Sequence, residues 1–413
     1  MGLIVQKYGG TSVGSLERIR AVARRVAQTR EMGHQIVVVV SAMAGETNRL
    51  LGLAHQLAAL PDPREADVLA ATGEQASAAL LAICLCANGI PACSLLGHQV
   101  KIATDSNHGQ ARIRTVDCER VLQALKGGNI VVVAGYQGVD GAGDITTLGR
   151  GASDLTAVAL AAALEAEVCE IYTDVNGIYT ADPNICPAAR QLARISYDEM
   201  LELAGLGAKV LQLRSVEMAR RFNVPLVVRS SFNESAGTWV GHEDQSMENV
   251  LVAGVTLDRD QSKITLTGVE DRPGLAARIL GPIAAVGIVV DMIIQNAGAQ
   301  GRTDMTFTVG RGDARRALDL TEQVAREVGA RGVAHEDGLA KVSIVGLGMR
   351  SHAGVAARMF EVLANERINI QMISTSEIKL SVVIDAKYGE LAVRVLHDAF
   401  LANPEESAKP SAS

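Results

Sequence analysis

Gly274-Leu-Ala-Ala-Arg278 recurs as Gly354-Val-Ala-Ala-Arg358, an offset of 80 residues (274 to 354). Ile288, Val290, Met292 and Ile293 return at the same offset as Ile368, Ile370, Met372 and Ile373. Gly268 and Gly346 are 78 apart (268 to 346), so the second copy carries a loop two residues longer. A repeat of this size is one supersecondary unit, and each copy needs a neighbour to bury its open face. Each copy reads strand, glycine turn, helix, strand, strand, helix. The first then has a strand candidate near 331–336. The second ends in a helix over 388–401 and a polar tail, with no closing strand. Val250–Leu257, just ahead of the first copy, is a spare strand. We expect it to complete the second copy's sheet. The first copy, 263–338, is then inserted into the second, 250–262 plus 339–402, with 403–413 as a polar tail.

The preceding 1–245 have a different texture. Short β-branched runs (Leu3–Tyr8, Ile36–Ser41, Ile130–Ala134, Val168–Thr173, Leu226–Arg229) alternate with Ala/Leu-rich runs of helical period. The helical runs are Leu16–Arg30, Glu65–Asn88, Cys118–Lys126, Asp154–Ala166 and Met200–Phe222, the last broken near Gly205–Gly207. Ser15 is a natural N-cap and Gly33 a natural stop. Strands buried on both faces, separated by helices, predict a mainly parallel sheet between two helical layers, a three-layer αβα domain. Aromatics are only 3% of the chain, so the core must be aliphatic.

The formal net charge of -7 argues against nucleic acid as a partner, since that binding needs a basic face. No apolar run in the sequence approaches the ~20 residues of a membrane span. The chain opens on a strand-like LIVQKYGG, so we expect no signal peptide and a cytoplasmic location. The six cysteines, Cys84 to Cys186, form no Cys-x-x-Cys and read as reduced core thiols, with no metal site among them.

Six segments carry chemistry. Lys7-Tyr-Gly-Gly-Thr-Ser-Val-Gly14 joins a strand to a helix. Gly9 and Gly10 let a phosphate approach the backbone, and Lys7 can reach the same anion. Ser41, at the next strand end, and Thr47, in the turn beyond, either touch ligand or cap a helix. Glu74 sits in an otherwise apolar helix, where a carboxylate can take a ligand ammonium. Thr146-Thr-Leu-Gly-Arg-Gly-Ala-Ser-Asp154 leads into an Ala-rich helix, with Ser153 as N-cap and Asp154 complementing the dipole. Capping does not explain Arg150, held between Gly149 and Gly151 on a flexible backbone suited to gripping a carboxylate. Thr173-Asp-Val-Asn-Gly-Ile-Tyr-Thr-Ala-Asp-Pro183, after a buried strand, could hold a base and ribose. Lys209, after Gly205-Leu-Gly-Ala, is a second lysine with a possible site role.

Together, KYGGTSVG (7–14), VVVSAMAGETN (38–48), TGE (72–74), TTLGRGASD (146–154), TDVNGIYTADP (173–183) and GAKVLQLRSVE (207–217) resemble the aspartate kinases of the amino-acid kinase family. The C-terminal repeats resemble a pair of ferredoxin-like (βαββαβ) ACT modules. Ala152 departs from the glycine many relatives carry there, which makes an unusual backbone angle at 152 less expected.

The resemblance implies transfer of the ATP γ-phosphate to the β-carboxylate of L-aspartate, with Mg²⁺ held mainly by phosphates and water. It implies Lys7, Asp154 and Lys209 as catalytic groups. ATP would be lined by Lys7, Gly9, Gly10, Ser41, Thr173, Asp174, Tyr179, Asp182, Lys209 and Val210. Aspartate would meet Thr47, Glu74, Arg150, Gly151, Ser153 and Asp154. The ACT pair implies feedback inhibition, with lysine and threonine together as the expected effectors. Candidate contacts are Asp271, Gly274, Ala276, Asp291 and Gln295 in the first copy, and Asn369, Ile373 and Ser374 in the second. A homodimer or tetramer through the ACT modules is implied too. Two alternatives stay open: another carboxylate kinase of the same fold, and a non-catalytic amino-acid sensor.

Overall fold

The computed structural model describes residues 2–208, 210–243, 251–296, 301–352 and 354–402. The chain forms two units. The first comprises Met1–Tyr179, Gln191–Gly205 and Lys209–Met247, and the second Thr180–Arg190, Leu206–Ala208 and Glu248–Ser413.

The first unit runs β1 (Leu3–Tyr8), α1 (Leu16–Glu31), β2 (Gln35–Val40), α2 (Glu46–Leu57), α3 (Pro63–Ala87), β3 (Ala92–Leu95), β4 (Ile102–Thr104), β5 (Ile113–Val116), α4 (Glu119–Lys126), β6 (Ile130–Ala134), β7 (Gln137–Val139) and β8 (Ile145–Thr147). It continues with α5 (Ser153–Ala163), β9 (Val168–Thr173), β10 (Arg194–Ser196), α6 (Tyr197–Gly205), α7 (Leu213–Phe222), β11 (Leu226–Ser230) and β12 (Thr238–Gly241). The main sheet has the order β10-β12-β11-β9-β1-β2-β6-β3. All its pairs are parallel except β11 with β12. Val37 to Val40 and Val131 to Val133 are fully buried, as strands covered on both faces must be. From β1 the chain steps to β2 on one side and only later returns to β9 on the other. That reversal makes a switch point, and in open α/β sheets ligands bind outside the strand ends there.

Ser15 caps α1 by accepting from the Arg18 N–H, and Gly33 ends the turn after it at φ +92°. A second, four-stranded sheet, β5-β4-β7-β8, was not foreseen. Its strands are three or four residues long and only partly apolar, too short for a period to register. Ser153 is not the cap of α5. Ala152 occupies that position at an ordinary φ of -78°, and Ser153 is the first helical residue. The methyl at 152 is tolerated because the positive angles fall on Gly149 and Gly151. Among the described residues α3 is long and apolar enough to cross a membrane. Its buried stripe instead packs inside this unit, as a core helix does.

The second unit contains β13 (Gly254–Glu270), α8 (Leu275–Ala285), β14 (Val290–Gln295), β15 (Arg302–Val309), α9 (Ala314–Val328), β16 (Gly332–Val345), α10 (Val355–Asn365), β17 (Met372–Thr375), β18 (Lys379–Asp385) and α11 (Gly389–Leu401). Each copy was expected to have its own strands. Instead β13 and β16 run through both copies and build one sheet, β14-β15-β13-β16-β18-β17. Gly254–Asp258 pairs with Lys341–Val345, and Lys263–Thr267 pairs with Gly332–Glu336. No proline or glycine interrupts 255–267. The crossing from one copy to the other is absorbed by register shifts around Gln261. Each half buries its helices on its own apolar cluster. Ile264, Leu266 and Phe307 pack with α8 and α9, and Val342, Ile344 and Val382 pack with α10 and α11. The excursion 180–190 joins the latter cluster through Ala181 and Cys186. The six cysteines are all free thiols.

Candidate active site

β1 ends at Tyr8, and its C-terminal Lys7 is only 8% exposed. The Lys7 ammonium lies 2.6 Å from Asp154 Oδ1, in the first turn of α5. Asp154 is likewise buried, so the two charges neutralise each other away from bulk water. A β-carbon on Gly9 would stand 3.5 Å from that ammonium, and one on Gly10 would come to 2.8 Å from the Ala42 carbonyl oxygen. The glycine turn is thus pressed between Lys7 and the loop after β2. Its backbone is fixed by Gly9 N–H donating to Tyr172 O (3.1 Å) and Ala44 N–H donating to Gly10 O (3.1 Å). Ser41 N–H donates to Tyr8 O, which keeps the ends of β1 and β2 level.

Glu74 on α3 is 4% exposed. Its Oε1 accepts from Ala42 N–H (3.1 Å), while Oε2 is buried with no partner. Burial pushes the carboxyl up to about 7. Gly73 makes this approach possible, since a β-carbon there would be 2.8 Å from Ala42 Cβ. An unpaired buried carboxylate oxygen is expensive unless a donor arrives, which is what an ammonium-binding group requires.

The loop 148–152 projects from β8 into α5. Arg150 is exposed at its tip, and its guanidinium donates to Asn48 Oδ1 (3.1 Å) in α2. Gly149 and Gly151 flank it at φ +96° and +77°. Ser153 is buried against Gly135, where a β-carbon would come within 2.8 Å of Ser153 Cβ. Thr47 is half-buried in the first turn of α2, next to Asn48.

On the other side of the switch point, Thr173 ends β9 and its hydroxyl donates to Asp174 Oδ1 (3.2 Å). Tyr179 is half-buried, accepting from Asn176 Nδ2 and bridging to Gln191. Val210 is half-buried ahead of α7. Asp182 belongs to the second unit, where its carboxylate accepts from the Asn184 backbone N–H and side chain. Lys209 lies outside the described residues.

The first unit therefore gathers Lys7, Gly9, Gly10, Ser41 and Asp154 at one set of strand ends, with Glu74 and Asn48 on the flanking helices. Sequence reasoning missed Asp67, Tyr136 and Arg214. Asp67 and Glu74 sit seven residues apart on the buried stripe of α3, and two acids on one apolar face are a readable signal. Tyr136, at φ +69°, has no such signal.

In the second unit, Gly274 and Gly354 cap α8 and α10 in the left-handed region, at φ +88° and +97°. Asp271 is exposed before α8, and its N–H donates to Gly301 O (2.8 Å). Ala276 is exposed in the first turn of α8, and Gln295 ends the edge strand β14. Asp291, also on β14, already pairs with the buried Lys341 ammonium. Asn369 is exposed ahead of the opposite edge strand, β17, which carries Ile373 and Ser374. Among the described residues no group of three or more His, Cys, Asp or Glu side chains is placed to hold a metal ion.

Residues 2–230 match the amino acid kinase family, and 263–326 and 342–400 each match an ACT domain. The aspartokinase of Pseudomonas aeruginosa is 58% identical, across 97% of this chain and 98% of its own. The aspartokinase of Helicobacter pylori strain J99 is 51% identical, across 96% and 99%. The solved structure of Escherichia coli aspartokinase III in complex with aspartate and ADP, described as the R-state, superposes with a TM-score of 0.82. It is 29% identical and covers 97% of this chain and all of the other. The same enzyme with lysine and aspartate, described as the T-state, gives 0.76 at 28% identity. The chain belongs to the amino acid kinase family, in its aspartokinase group, with two ACT domains following the kinase domain.

Proposed function

We propose that this enzyme transfers the γ-phosphoryl group of ATP to the β-carboxylate of L-aspartate, giving 4-phospho-L-aspartate, the first step towards lysine, threonine and methionine. The observation that carries the reading is the buried Lys7 ammonium, tethered by Asp154 beside the glycine turn at the switch point. A carboxylate with a pKa near 4 is already ionised at pH 7, so no general base is needed. The barrier lies in bringing one anion up to another, and positive charge with positioning lowers it. Lys7 neutralises the transferring phosphoryl oxygens and the Gly9 and Gly10 amides hold them. Arg150 takes an aspartate carboxylate and Glu74 its ammonium, with Thr47, Gly151 and Ser153 around it. Asp154 orients Lys7. Ser41, Thr173, Asp174, Tyr179, Lys209 and Val210 serve the nucleotide. Mg²⁺ would be carried by phosphate oxygens and water, screening the polyphosphate charge, which suits a site with no dense carboxylate cluster among the described residues.

The kinase domain spans 1–245, and the ACT modules are 263–338 and 250–262 plus 339–402. We assign the latter to feedback by lysine and threonine, through Asp271, Gly274, Ala276, Asp291, Gln295, Asn369, Ile373 and Ser374. E. coli aspartokinase III, solved with lysine and aspartate, supports lysine as one effector. We place the enzyme in the cytoplasm as a homodimer or tetramer joined by its ACT modules.

An acceptor screen tests the activity. ADP release with aspartate should exceed that with glutamate, N-acetylglutamate or UMP by at least about 100-fold, the discrimination of a site built on charged hydrogen bonds. Comparable turnover with glutamate would contradict it.

Glu74 adds a pH signature. Its folded-state carboxyl lies well above the ordinary 4.5, so the folded protein holds this proton more tightly than the unfolded chain. Ionising it therefore removes stability as pH rises from about 4.5 through about 7, and a substrate ammonium offsets that loss. The KM for aspartate should fall about tenfold per unit as pH rises from 5.5 to 7, and level above that. Glu74→Gln should flatten the profile. A wild-type KM that stays constant from pH 5.5 to 8 would remove Glu74 from ammonium binding.

A further inference from the structure

Asp67 lies in the second turn of α3 and is 3% exposed, yet its carboxylate makes no contact with the strand-end groups described above. Both oxygens are spent on two loops. Oδ2 accepts from Thr147 N–H (3.0 Å) and His108 Nδ1 (2.9 Å), and Oδ1 from the Thr147 hydroxyl (2.5 Å). Gly109 N–H reaches both oxygens, at 3.1 and 3.0 Å. Thr147 is the last residue of β8, three positions before Arg150.

From Thr147 onward the loop is anchored firmly at its root and lightly at its tip, where Arg150 meets only neutral side chains, donating to Asn48 Oδ1 (3.1 Å) and accepting at its carbonyl from Gln212 Nε2 (3.3 Å). Leu148 N–H donates to Tyr136 O (2.9 Å). Leu148 O accepts from Arg214 (2.6 Å), which also donates to Ala111 O (2.9 Å). Beyond Leu148 come Gly149 and Gly151, with Arg150 between them. Glycines flanking a binding side chain allow it to swivel, so its position depends strongly on whatever fixes the root. Hydrogen bonds to an ionised acceptor are about twice as strong as neutral ones, and a buried carboxylate taking several of them holds its partners firmly.

We propose that Asp67 is a positioning residue for the acceptor substrate. By clamping Thr147 and Gly109 to α3, it fixes where Arg150 presents its guanidinium. The inference rests on the reading that Arg150 binds an aspartate carboxylate. Asp67→Asn keeps the shape of the side chain. It forfeits the charge and turns one acceptor into a donor facing N–H groups.

The test is a double-mutant cycle in the full-length enzyme, comparing wild type, Asp67→Asn, Arg150→Ala and the double variant by steady-state kinetics. Asp67→Asn should raise the KM for aspartate about tenfold, as a small misplacement of a substrate clamp does. The KM for ATP should stay within about twofold, and in the Arg150→Ala background the substitution should add nothing further to the aspartate KM. Should Asp67→Asn fail to fold, Thr147→Val removes only the hydroxyl bond and should show the same dependence on Arg150 with about a threefold rise. Equal rises in both KM values, an undiminished effect without Arg150, or no effect would overturn the proposal. An Arg150→Ala enzyme with an unchanged aspartate KM would instead overturn the reading of Arg150 itself, and so separates the two failures.

Discussion

Lys7→Ala should lower kcat at least about 100-fold, the scale seen when one preorganised donor to a developing anion is lost. The structure makes the loss two-sided. The ammonium that would neutralise the phosphoryl oxygens disappears, and Asp154, buried and 2.6 Å from it, is left as an unpaired negative charge beside the incoming polyanion. Removing one partner of a buried ion pair costs about 3–5 kcal/mol, so Lys7→Ala should also lower the unfolding midpoint. The two effects separate by construction. Lys7→Met with Asp154→Asn removes both charges, and it should regain stability while kcat stays low. If the double variant regained wild-type kcat, the role of Lys7 would be electrostatic repair of Asp154 rather than catalysis.

Arg150→Ala carries the second large effect, on substrate binding rather than turnover. Arg150 stands exposed on a two-glycine loop, its guanidinium donating to Asn48 Oδ1 (3.1 Å) and its carbonyl accepting from Gln212 Nε2 (3.3 Å). A planar guanidinium closing on a carboxylate makes two parallel charged hydrogen bonds, each contributing about 1.5–3 kcal/mol. The KM for aspartate should therefore rise about 100-fold or more, with the KM for ATP within about twofold. Arg150→Lys keeps the charge but not the fork, and should fall between the two. Steady-state titration of each substrate at saturating partner reads this split. A change confined to the KM for ATP would reassign Arg150 to the nucleotide side.

Much of this molecule is legible in its sequence because its signals are local. β1, β6 and β9 are short, mainly β-branched and apolar runs buried at nearly every position, as in a doubly covered sheet, and their ends carry Lys7, Gly135 and Thr173. The 80-residue repeat exposed the two ACT modules, and the missing last strand of the second copy pointed to 250–257. The pairing of Gly254–Asp258 with Lys341–Val345 supplies a fourth strand to that copy. What stayed hidden is non-local. The fusion of strands into β13 and β16 depends on bulges near Gln261, which have no residue signature. Ser153 satisfied every local rule for a cap. The helix instead starts one residue earlier, with Ala152 at the cap position, and Ser153 is buried against Gly135. Asp67 joins residues 80 positions apart, and Arg214 ties loops more than 60 positions upstream. The engagement of Asp291 by Lys341 likewise arises only when the sheet closes.

The central claim is that this site makes an acyl phosphate on the side-chain carboxylate of aspartate. Incubation with ATP, aspartate and hydroxylamine, followed by mass spectrometry, tests it most directly, because hydroxylamine traps an acyl phosphate as its hydroxamate. We expect aspartate β-hydroxamate to accumulate in step with ADP, and to fall at least about 100-fold with Lys7→Ala. ADP release without hydroxamate, or hydroxamate formed on the α-carboxylate, would contradict the account.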